Sequence, residues 1–103
     1  MDLVLEIYKL SELFPKNEEY NLKSQIKRAI VSVPLNIAEG KSRVSSKDFA
    51  HFLNIASASL TEVEVIIEIA KKLNYINNDV IIEKIRELNK MINSLRTKLL
   101  VIN

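Results

Sequence analysis

Apolar residues recur along most of this chain at alternating intervals of three and four residues. The longest series comprises Ile81, Ile85, Leu88, Ile92, Leu95, Leu99 and Ile102. This spacing forms an apolar stripe on an α-helix, and a sustained heptad indicates left-handed packing at a shallow angle. The chain has one glycine and two prolines, too few for the tight turns of an all-β domain. The pattern therefore predicts a few long helices.

Helix-terminating residues divide the pattern into elements. The first helix is predicted at about residues 2–13 and ends before Pro15, because a residue that precedes proline avoids the α conformation. The second is predicted at about residues 19–39. Its internal Pro34 predicts a kink after Ile30, with Ser32 as a candidate to satisfy a freed backbone group. Gly40 is expected to end this helix in a left-handed conformation.

The remaining two helices have recognisable starts. Ser45 and Asp48 form a variant of the capping box, which predicts a third helix that begins there and continues to about Leu73. Asn77 or Asn78 is the expected N-cap of the fourth. Because the connections are short, sequential helices should be antiparallel neighbours. The predicted fold is all-α, an antiparallel up-down-up-down, left-handed four-helix bundle that forms a single domain over residues 1–103.

The third helix is apolar over more than one face. Ile55, Ile66 and Ile69 lie beside its main apolar seam and need a second layer to cover them. One small bundle rarely covers both faces, so the pattern predicts that a second subunit does so and that the protein is a homo-oligomer.

Composition excludes several classes of site. The chain contains no cysteine, which removes disulfides and thiol nucleophiles and suits a reducing cytoplasm. No apolar run is long enough to span a membrane, and no secretory signal is recognisable at residue 1. A single histidine, His51, cannot complete a di-iron centre. A serine triad would have to use Ser45 or Ser46 with Asp48, which capping already explains. We therefore expect no catalytic residues, metal or cofactor.

Positive charge is concentrated in one segment. Residues 21–47 contain six cations and one anion, a local charge of +5 in a chain whose net charge is +2. Such a cluster can neutralise phosphate groups with a salt-dependent affinity, although a solvated helix face produces the same pattern. No aromatic side chains interleave with it, so base stacking is not expected. The candidate nucleic-acid-binding residues are Lys23, Lys27, Lys41, Arg43 and Lys47.

A polar stripe follows the second helix at helical spacing, formed by Gln25, Arg28, Ser32, Asn36 and Glu39. It is compatible with a binding site, but a structural hydrogen-bonded network against the third helix or a neighbouring subunit is the favoured interpretation. Arg28 lies eleven residues from Glu39, about 16 Å along a helix, so these two cannot pair. Glu39 needs Arg43 or another chain as its partner.

Several motifs together resemble a known family. They are Phe14-Pro15, Gln25-Ile26-x-Arg28-Ala29, Val31-Ser32-Val33-Pro34-x-Asn36-Ile37-Ala38-Glu39-Gly40, Arg43, and Phe49-x-x-Phe52-Leu53-x-Ile55-Ala56-x-x-Ser59-Leu60-x-Glu62. The sequence is similar to the bacterial four-helix bundle proteins encoded by intervening sequences within 23S rRNA genes. It departs from them at Ala58, where the family tends to have glycine. The opening turns of the family's first helix are also missing before Met1, which should leave apolar surface uncovered at one end.

The resemblance implies a left-handed up-down bundle that assembles as a homopentamer. It also implies kinship with the accessory protein of diversity-generating retroelements, whose basic surface engages nucleic acid and a reverse transcriptase. No catalytic residue carries over from it. The leading hypothesis is a non-enzymatic, cytoplasmic, homo-oligomeric bundle that binds nucleic acid, with rRNA or another structured RNA as ligand. The alternatives are a scaffold whose protein partner covers apolar surface on the third or fourth helix, and a toxin-like ribonuclease that uses Arg43 and His51.

Overall fold

The computed structural model describes residues 2–101, which contain four α-helices and no strand. Their bounds are α1 Asp2–Ser11, α2 Leu22–Lys41, α3 Ser46–Lys72 and α4 Asp79–Val101, and a short 3-10 turn occupies Lys16–Glu18. Each helix packs against the next one in the chain. The prediction of an all-α protein with four helices is confirmed, while Ile102 of the predicted heptad lies outside the described residues.

Helix α3 lies at the centre of the packing, in contact with both α2 and α4. The buried apolar side chains come from all four helices and form one core; its most enclosed members are Ile7, Ile26, Ile30, Val33, Leu53, Leu60, Val63, Ile67 and Ile85. Of the three residues thought to need a second subunit, Ile66 is buried, Ile55 is half-buried and Ile69 is exposed. The chain's own helices therefore cover Ile66, whereas Ile69 stays exposed, and the expectation that a second subunit covers this face stays a prediction.

Gly40 allows α2 and α3 to approach each other closely. It lies inside α2 and its φ is not positive, so the predicted left-handed cap is wrong. A Cβ atom at this position would lie 2.7 Å from Phe49 Cδ1 and 3.0 Å from Phe52 Cβ. These distances are shorter than ordinary carbon contacts. Glycine is therefore required here because there is no room for a side chain.

Local hydrogen bonds define the other helix ends. Ser45 Oγ accepts from the Asp48 amide at 3.0 Å, and Asn78 Oδ1 accepts from the Ile81 amide at 3.1 Å, so both predicted N-caps are confirmed. The left-handed residue is Asn74, with φ of 62°, at the end of α3. The next amide, at residue 75, donates back to the residue 70 carbonyl at 2.9 Å, as in a Schellman motif.

Pro34 lies within a continuous α2 rather than at a break. The Ser32 hydroxyl lies 2.9 Å from Ser59 Oγ on α3 and also accepts from Asn36 Nδ2 at 2.9 Å. It is therefore engaged with side chains, and the expectation that it would satisfy a backbone group freed by Pro34 is wrong. The Asn36 amide also donates to the Ser32 carbonyl at 2.8 Å.

Helix α1 covers only part of the bundle. Its ten residues span about 15 Å, whereas the 27 residues of α3 span about 40 Å. An ion pair attaches α1 to α4 through Glu6 and Lys84, at 2.8 Å, and a second one joins Glu12, the residue after α1, to Lys27 of α2, at 3.0 Å. Within residues 2–101, the bundle continues past the N-terminal end of α1 as α2, α3 and α4.

A buried carboxylate joins two connections at the end of the molecule where α1 is present. Glu18, in the 3-10 turn, accepts from Tyr75 Oη at 2.8 Å and from Asn21 Nδ2 at 3.0 Å. The Tyr75 ring also packs against Phe14, with ring centroids 6.0 Å apart. The hydrogen bond from Tyr75 lowers the pKa of Glu18, and the same bond raises the pKa of the Tyr75 phenol.

Gly40→Ala is expected to destabilise the protein. Overpacking costs about 1–3 kcal/mol, which exceeds the gain of about 1 kcal/mol from replacing glycine by alanine in a helix. Urea denaturation should show a net loss of up to about 2 kcal/mol. Adding Phe49→Leu, which removes the ring that the new methyl group would meet, should restore part of that loss. An alanine variant more stable than the wild type would contradict the close-approach explanation.

Tyr75→Phe is expected to reduce stability more at pH 7 than at about pH 2. Because the folded pKa of Glu18 is lowered, its bond stabilises the protein above the ordinary glutamate pKa of about 4.3 and is lost as pH falls through the folded value. Urea denaturation at the two pH values measures this difference. Tyr20→Phe is the matched control because Tyr20 is almost fully exposed. An equal loss for Tyr75→Phe at both pH values would contradict this role of Glu18.

Candidate nucleic-acid interface

Lys23 and Lys27, two of the five candidate cations, are held by carboxylates of the same chain. Lys23 Nζ lies 2.9 Å from Glu12 and 3.0 Å from Glu19, and its side chain is only 12% exposed. Lys27 Nζ lies 3.0 Å from Glu12 and 5.1 Å from the centroid of the Tyr8 ring. Both lysines therefore help to attach α1 to α2.

The titration of this cluster reflects its pairing. Hydrogen bonds from Lys23 and then Lys27 lower the pKa of Glu12, and hydrogen bonds to Glu12 and then Glu19 raise the pKa of Lys23. Each group thus favours the charged state of its neighbour. A phosphate would have to compete with two carboxylates for Lys23, which weakens the case for this lysine as a nucleic-acid contact.

Lys41, Arg43 and Lys47, the other three candidates, lie around the connection between α2 and α3. All three are exposed, and the ion pairs of the described chain involve neither Lys41 nor Lys47. Arg43 Nη2 lies 2.7 Å from Glu39, and its Cζ atom lies 4.8 Å from the centroid of the Phe52 ring. Arg43 is thus oriented by the Glu39 carboxylate and the Phe52 ring, while nearly half of its side chain remains exposed.

The five candidates do not form one surface. Lys27 and Lys41 are fourteen residues apart on the same helix, which separates them by about 21 Å. Helix α4 adds cations to the Lys41 end, because Asn93 contacts Ser57 and the later residues of α4 therefore run beside the first turns of α3. Among these is Lys98, which is exposed and has no carboxylate partner within residues 2–101. Counting charge along contiguous sequence misses this contribution, because only the fold brings α4 back to that end.

The centre of the polar stripe contacts α3, as the network interpretation predicts. Ser32 and Asn36 bond to each other, and Ser32 reaches Ser59 across the helix interface. Arg28 Nη2 lies 3.8 Å from Glu62 on α3, at the surface. This part of the stripe therefore aligns α2 with α3.

The ends of the polar stripe bond within α2 and its caps instead. Gln25 Nε2 donates to Asn21 Oδ1 at 2.9 Å, one turn earlier. Glu39 pairs with Arg43 one turn later, which confirms one of the two partners expected for it. In the described part of the chain the five residues therefore form four separate local interactions rather than one continuous network.

A second polar seam, between α3 and α4, was not foreseen. Ser57 Oγ donates to Asn89 Oδ1 at 2.6 Å, Asn89 Nδ2 donates to Thr61 Oγ1 at 3.1 Å, and Asn93 Nδ2 donates to Ser57 Oγ at 3.2 Å. Each helix contributes two polar residues one turn apart, so the spacing was visible in the sequence. The strong apolar heptad of α4 concealed it.

Ion pairs extend this seam at the surface. Arg86 Nε lies 2.9 Å from Glu64, and Arg86 Nη2 lies 3.2 Å from Glu68. Glu64 in particular raises the pKa of Arg86. The seam borders an open groove of about 540 Å³. Its side chains bond mainly to one another, which indicates a role in aligning the two helices.

His51 lies on the exposed side of α3. The imidazole is exposed and packs edge-on against Phe52, with ring centroids 5.6 Å apart. Within residues 2–101, no group of three or more His, Asp or Glu side chains is placed to hold a metal ion. The helices described here are also too short or too polar for any of them to cross a membrane.

Comparison with known proteins agrees with the fold and the motifs. No curated protein matches the chain. The family model described as 23S rRNA-intervening sequence protein matches residues 1–94, which is most of the chain and includes all of α1, α2 and α3. The resemblance carried by the Pro34–Gly40 and Phe49–Glu62 motifs is therefore confirmed, and the chain belongs to the 23S rRNA-intervening sequence protein family.

Proposed function

We propose that this protein is a non-enzymatic, cytoplasmic, homo-oligomeric helical bundle that binds structured RNA through the connection between α2 and α3. The observation that carries the proposal is the cluster of Lys41, Arg43 and Lys47, three exposed cations of which only Arg43 has an ion-pair partner in the described chain. The family's name, which refers to intervening sequences of 23S rRNA, supports RNA as the ligand class. The absence of cysteine is consistent with the cytoplasm.

The pairing of Arg43 with Glu39 does not remove it from this surface. Exposed ion pairs contribute about 0.2–1 kcal/mol, which a phosphate contact can replace. A guanidinium also has five N–H donors, so Glu39 leaves several available. Stacking on Phe52 limits the orientations of the side chain before RNA arrives, which reduces the entropy lost on binding.

Lys23 and Lys27 have a smaller part in this proposal than the sequence suggested. Both contact Glu12, and releasing them would detach part of the interface between α1 and α2. Their contribution to RNA binding should be limited to the general positive field of the protein.

A stripe on α3 supports self-association. Val65, Ile69 and Leu73 follow one another at four-residue intervals, and each is at least 40% exposed. Removal of such a stripe from water favours contact with another copy of the chain. A cyclic assembly would repeat the Lys41–Lys47 cluster around its ring, and the family resemblance implies five copies.

The sequence positions of the residues that face each other on α2 and α3 support the finer description of the fold as an up-and-down bundle. Gly40, near the end of α2, lies close to Phe49, near the start of α3, whereas Arg28, earlier in α2, lies close to Glu62, later in α3. Residue numbers thus fall along α2 as they rise along α3. This is the pattern that antiparallel neighbours produce. Left-handed packing is proposed from the heptad of α4.

A protein-interaction scaffold is the second candidate function. It is favoured by the exposure of Leu35 on α2 and of Met91 on α4, both outside the Val65–Leu73 stripe. A nuclease-insensitive complex with one specific protein, without affinity for RNA, would support this candidate. A ribonuclease is the third candidate, and it requires RNA cleavage that is lost in His51→Ala.

The triple variant Lys41→Ala, Arg43→Ala, Lys47→Ala is expected to bind RNA more weakly and with less salt dependence. Each lost phosphate contact reduces the slope of log affinity against log salt by about 0.7–0.9, so the slope should fall by about 2–3. Fluorescence anisotropy with 23S rRNA fragments, from about 50 to 200 mM salt, measures both quantities.

Two controls separate a defined site from general charge. Lys9→Ala, Lys16→Ala, Lys72→Ala makes the same charge change at exposed lysines outside the α2–α3 connection and should keep most of the slope. Lys23→Ala, Lys27→Ala should lower the melting temperature but should weaken RNA binding less than the Lys41, Arg43, Lys47 variant does. Equal losses from the two triple variants, or no binding by the wild type at 50 mM salt, would sink the proposal.

Ile69→Asp is expected to dissociate the oligomer, because the new carboxylate would be buried without a partner in the α3 stripe. Sedimentation equilibrium at micromolar concentration should give a multiple of the 11.8 kDa chain for the wild type and a smaller mass for the variant. Asn54→Asp, at an exposed polar position of α3, should leave the mass unchanged. A monomeric wild type would rule out self-association through this stripe.

A further inference from the structure

Two segments that pack side by side on α3 and α4 contain no acidic residue. Residues 49–61 and residues 88–101 have no aspartate or glutamate, although the chain has thirteen in all. The later residues of α4 run beside the first turns of α3, where Asn93 Nδ2 donates to Ser57 Oγ at 3.2 Å. Neither segment therefore brings a carboxylate that would repel a phosphate group from this side of the molecule.

An open groove of about 540 Å³ follows the outer edge of this contact. Lys90, Ser94 and Thr97 line it along α4. The acidic residue among those that line it, Glu64, lies at the end away from the α2–α3 connection and pairs with Arg86 at 2.9 Å. Lys90 is exposed, and no carboxylate of residues 2–101 pairs with it. The groove thus presents an unpaired cation together with hydroxyl groups.

Helix α1 lies on another side of α4. Lys84, which pairs with Glu6 of α1, and Arg86, which lines the groove, are two residues apart in the sequence. Successive residues turn by about 100° around a helix, so these two side chains leave α4 in directions about 200° apart. The groove is therefore bounded by α3 and α4, and its opening does not depend on α1.

Arg96 lies on the side of α4 that faces α3 and has no partner there. It follows Asn93 by three residues and Asn89 by seven, and both asparagines bond to Ser57. The Arg96 side chain is half-buried, and its Nε atom is enclosed without a hydrogen-bond partner in the described part of the chain. Enclosed N–H donors in folded proteins are normally paired. A guanidinium in this position suits an acceptor such as a phosphate oxygen.

We propose that the groove between α3 and α4 binds the sugar-phosphate backbone of the RNA that the α2–α3 connection holds, with Lys90 and Arg96 as phosphate contacts. This inference rests on the proposed RNA binding and extends it by about two phosphate contacts. Hydroxyl groups such as that of Ser94 bond to phosphate or sugar oxygens. Contacts of this kind carry no sequence information, so the groove strengthens binding without selecting a sequence.

Lys90→Ala, Arg96→Gln is expected to bind RNA more weakly and with less salt dependence. Loss of two phosphate contacts should reduce the slope of log affinity against log salt by about 1.4–1.8. Glutamine keeps part of the arginine stem, which limits the loss of packing. Fluorescence anisotropy with 23S rRNA fragments, from about 50 to 200 mM salt, measures the slope. Lys90→Ala alone, at an exposed position, should give about half of the reduction even if the double variant is less stable.

Two further variants separate the groove from general charge and from the α2–α3 connection. Lys16→Ala, Lys72→Ala removes the same charge at exposed lysines away from the groove and should keep most of the slope. Adding Lys41→Ala, Arg43→Ala, Lys47→Ala to the groove variant should reduce the slope further, because all five side chains contact one RNA.

A photo-crosslinking probe locates the RNA directly. Because the chain has no cysteine, Ser94→Cys places a single probe in the groove. Tyr20→Cys places the same probe at an almost fully exposed position near the start of α2, at the other end of the molecule. Bound RNA should crosslink at position 94 and not at position 20. A residue that acts only through its charge would not produce this difference.

Three outcomes would overturn the inference and leave the proposed function standing. They are an unchanged slope in both groove variants when the Lys41, Arg43, Lys47 variant reduces it, equal RNA crosslinking at positions 94 and 20, and crosslinking of position 94 to another copy of the chain in place of RNA. Absence of RNA binding by the wild type at 50 mM salt would overturn both.

Discussion

At Gly40, helices α2 and α3 approach so closely that one added methyl group would overlap the Phe49 ring. This contact fixes the connection between the two helices at one end of the bundle. It also brings Phe52 to the position where the Arg43 guanidinium lies against its ring. Orientation of that arginine by Phe52 and Glu39 is thus a consequence of helix packing, and the proposed RNA surface depends on a glycine that contacts no RNA.

The number of helices that surround the core differs between the two ends of the molecule. Where α1 is present, four helices enclose the core, and ion pairs of Glu12 and Glu6 attach α1 to its neighbours. Toward the Gly40 end three helices remain, and α4 exposes apolar residues such as Met91. Within residues 2–101, exposed lysines without a carboxylate partner, such as Lys41, are found at this same end. The proposed RNA-binding surface therefore lies at the end where, in the described residues, three helices rather than four surround the core.

Sequence reasoning succeeded where a structure depends on neighbouring residues and failed where it depends on distant ones. The caps at Ser45 and Asn78 were predictable because each uses a hydrogen bond to a residue three positions later. Gly40 was misinterpreted because a glycine before a loop indicates a left-handed cap as readily as a close approach. Lys27 was expected to be available because its partner, Glu12, is fifteen residues away in the sequence, in the turn after α1. The position of the basic connection between α2 and α3 was predictable from the sequence. The cations that α4 brings close to it could be identified only from the fold.

Amide hydrogen exchange measured residue by residue tests most directly whether the core is surrounded by fewer helices at one end, because local opening reflects local packing. The account predicts slow, collective exchange for residues 81–92 of α4 and for the α2 and α3 residues opposite them. Protection should fall within α4 at residues 94–97, before the last turn, where frayed helix ends cannot explain it. Protection that stays uniform from residue 82 through residue 97 would contradict the claim that three helices rather than four pack together past the N-terminal end of α1 in the described residues.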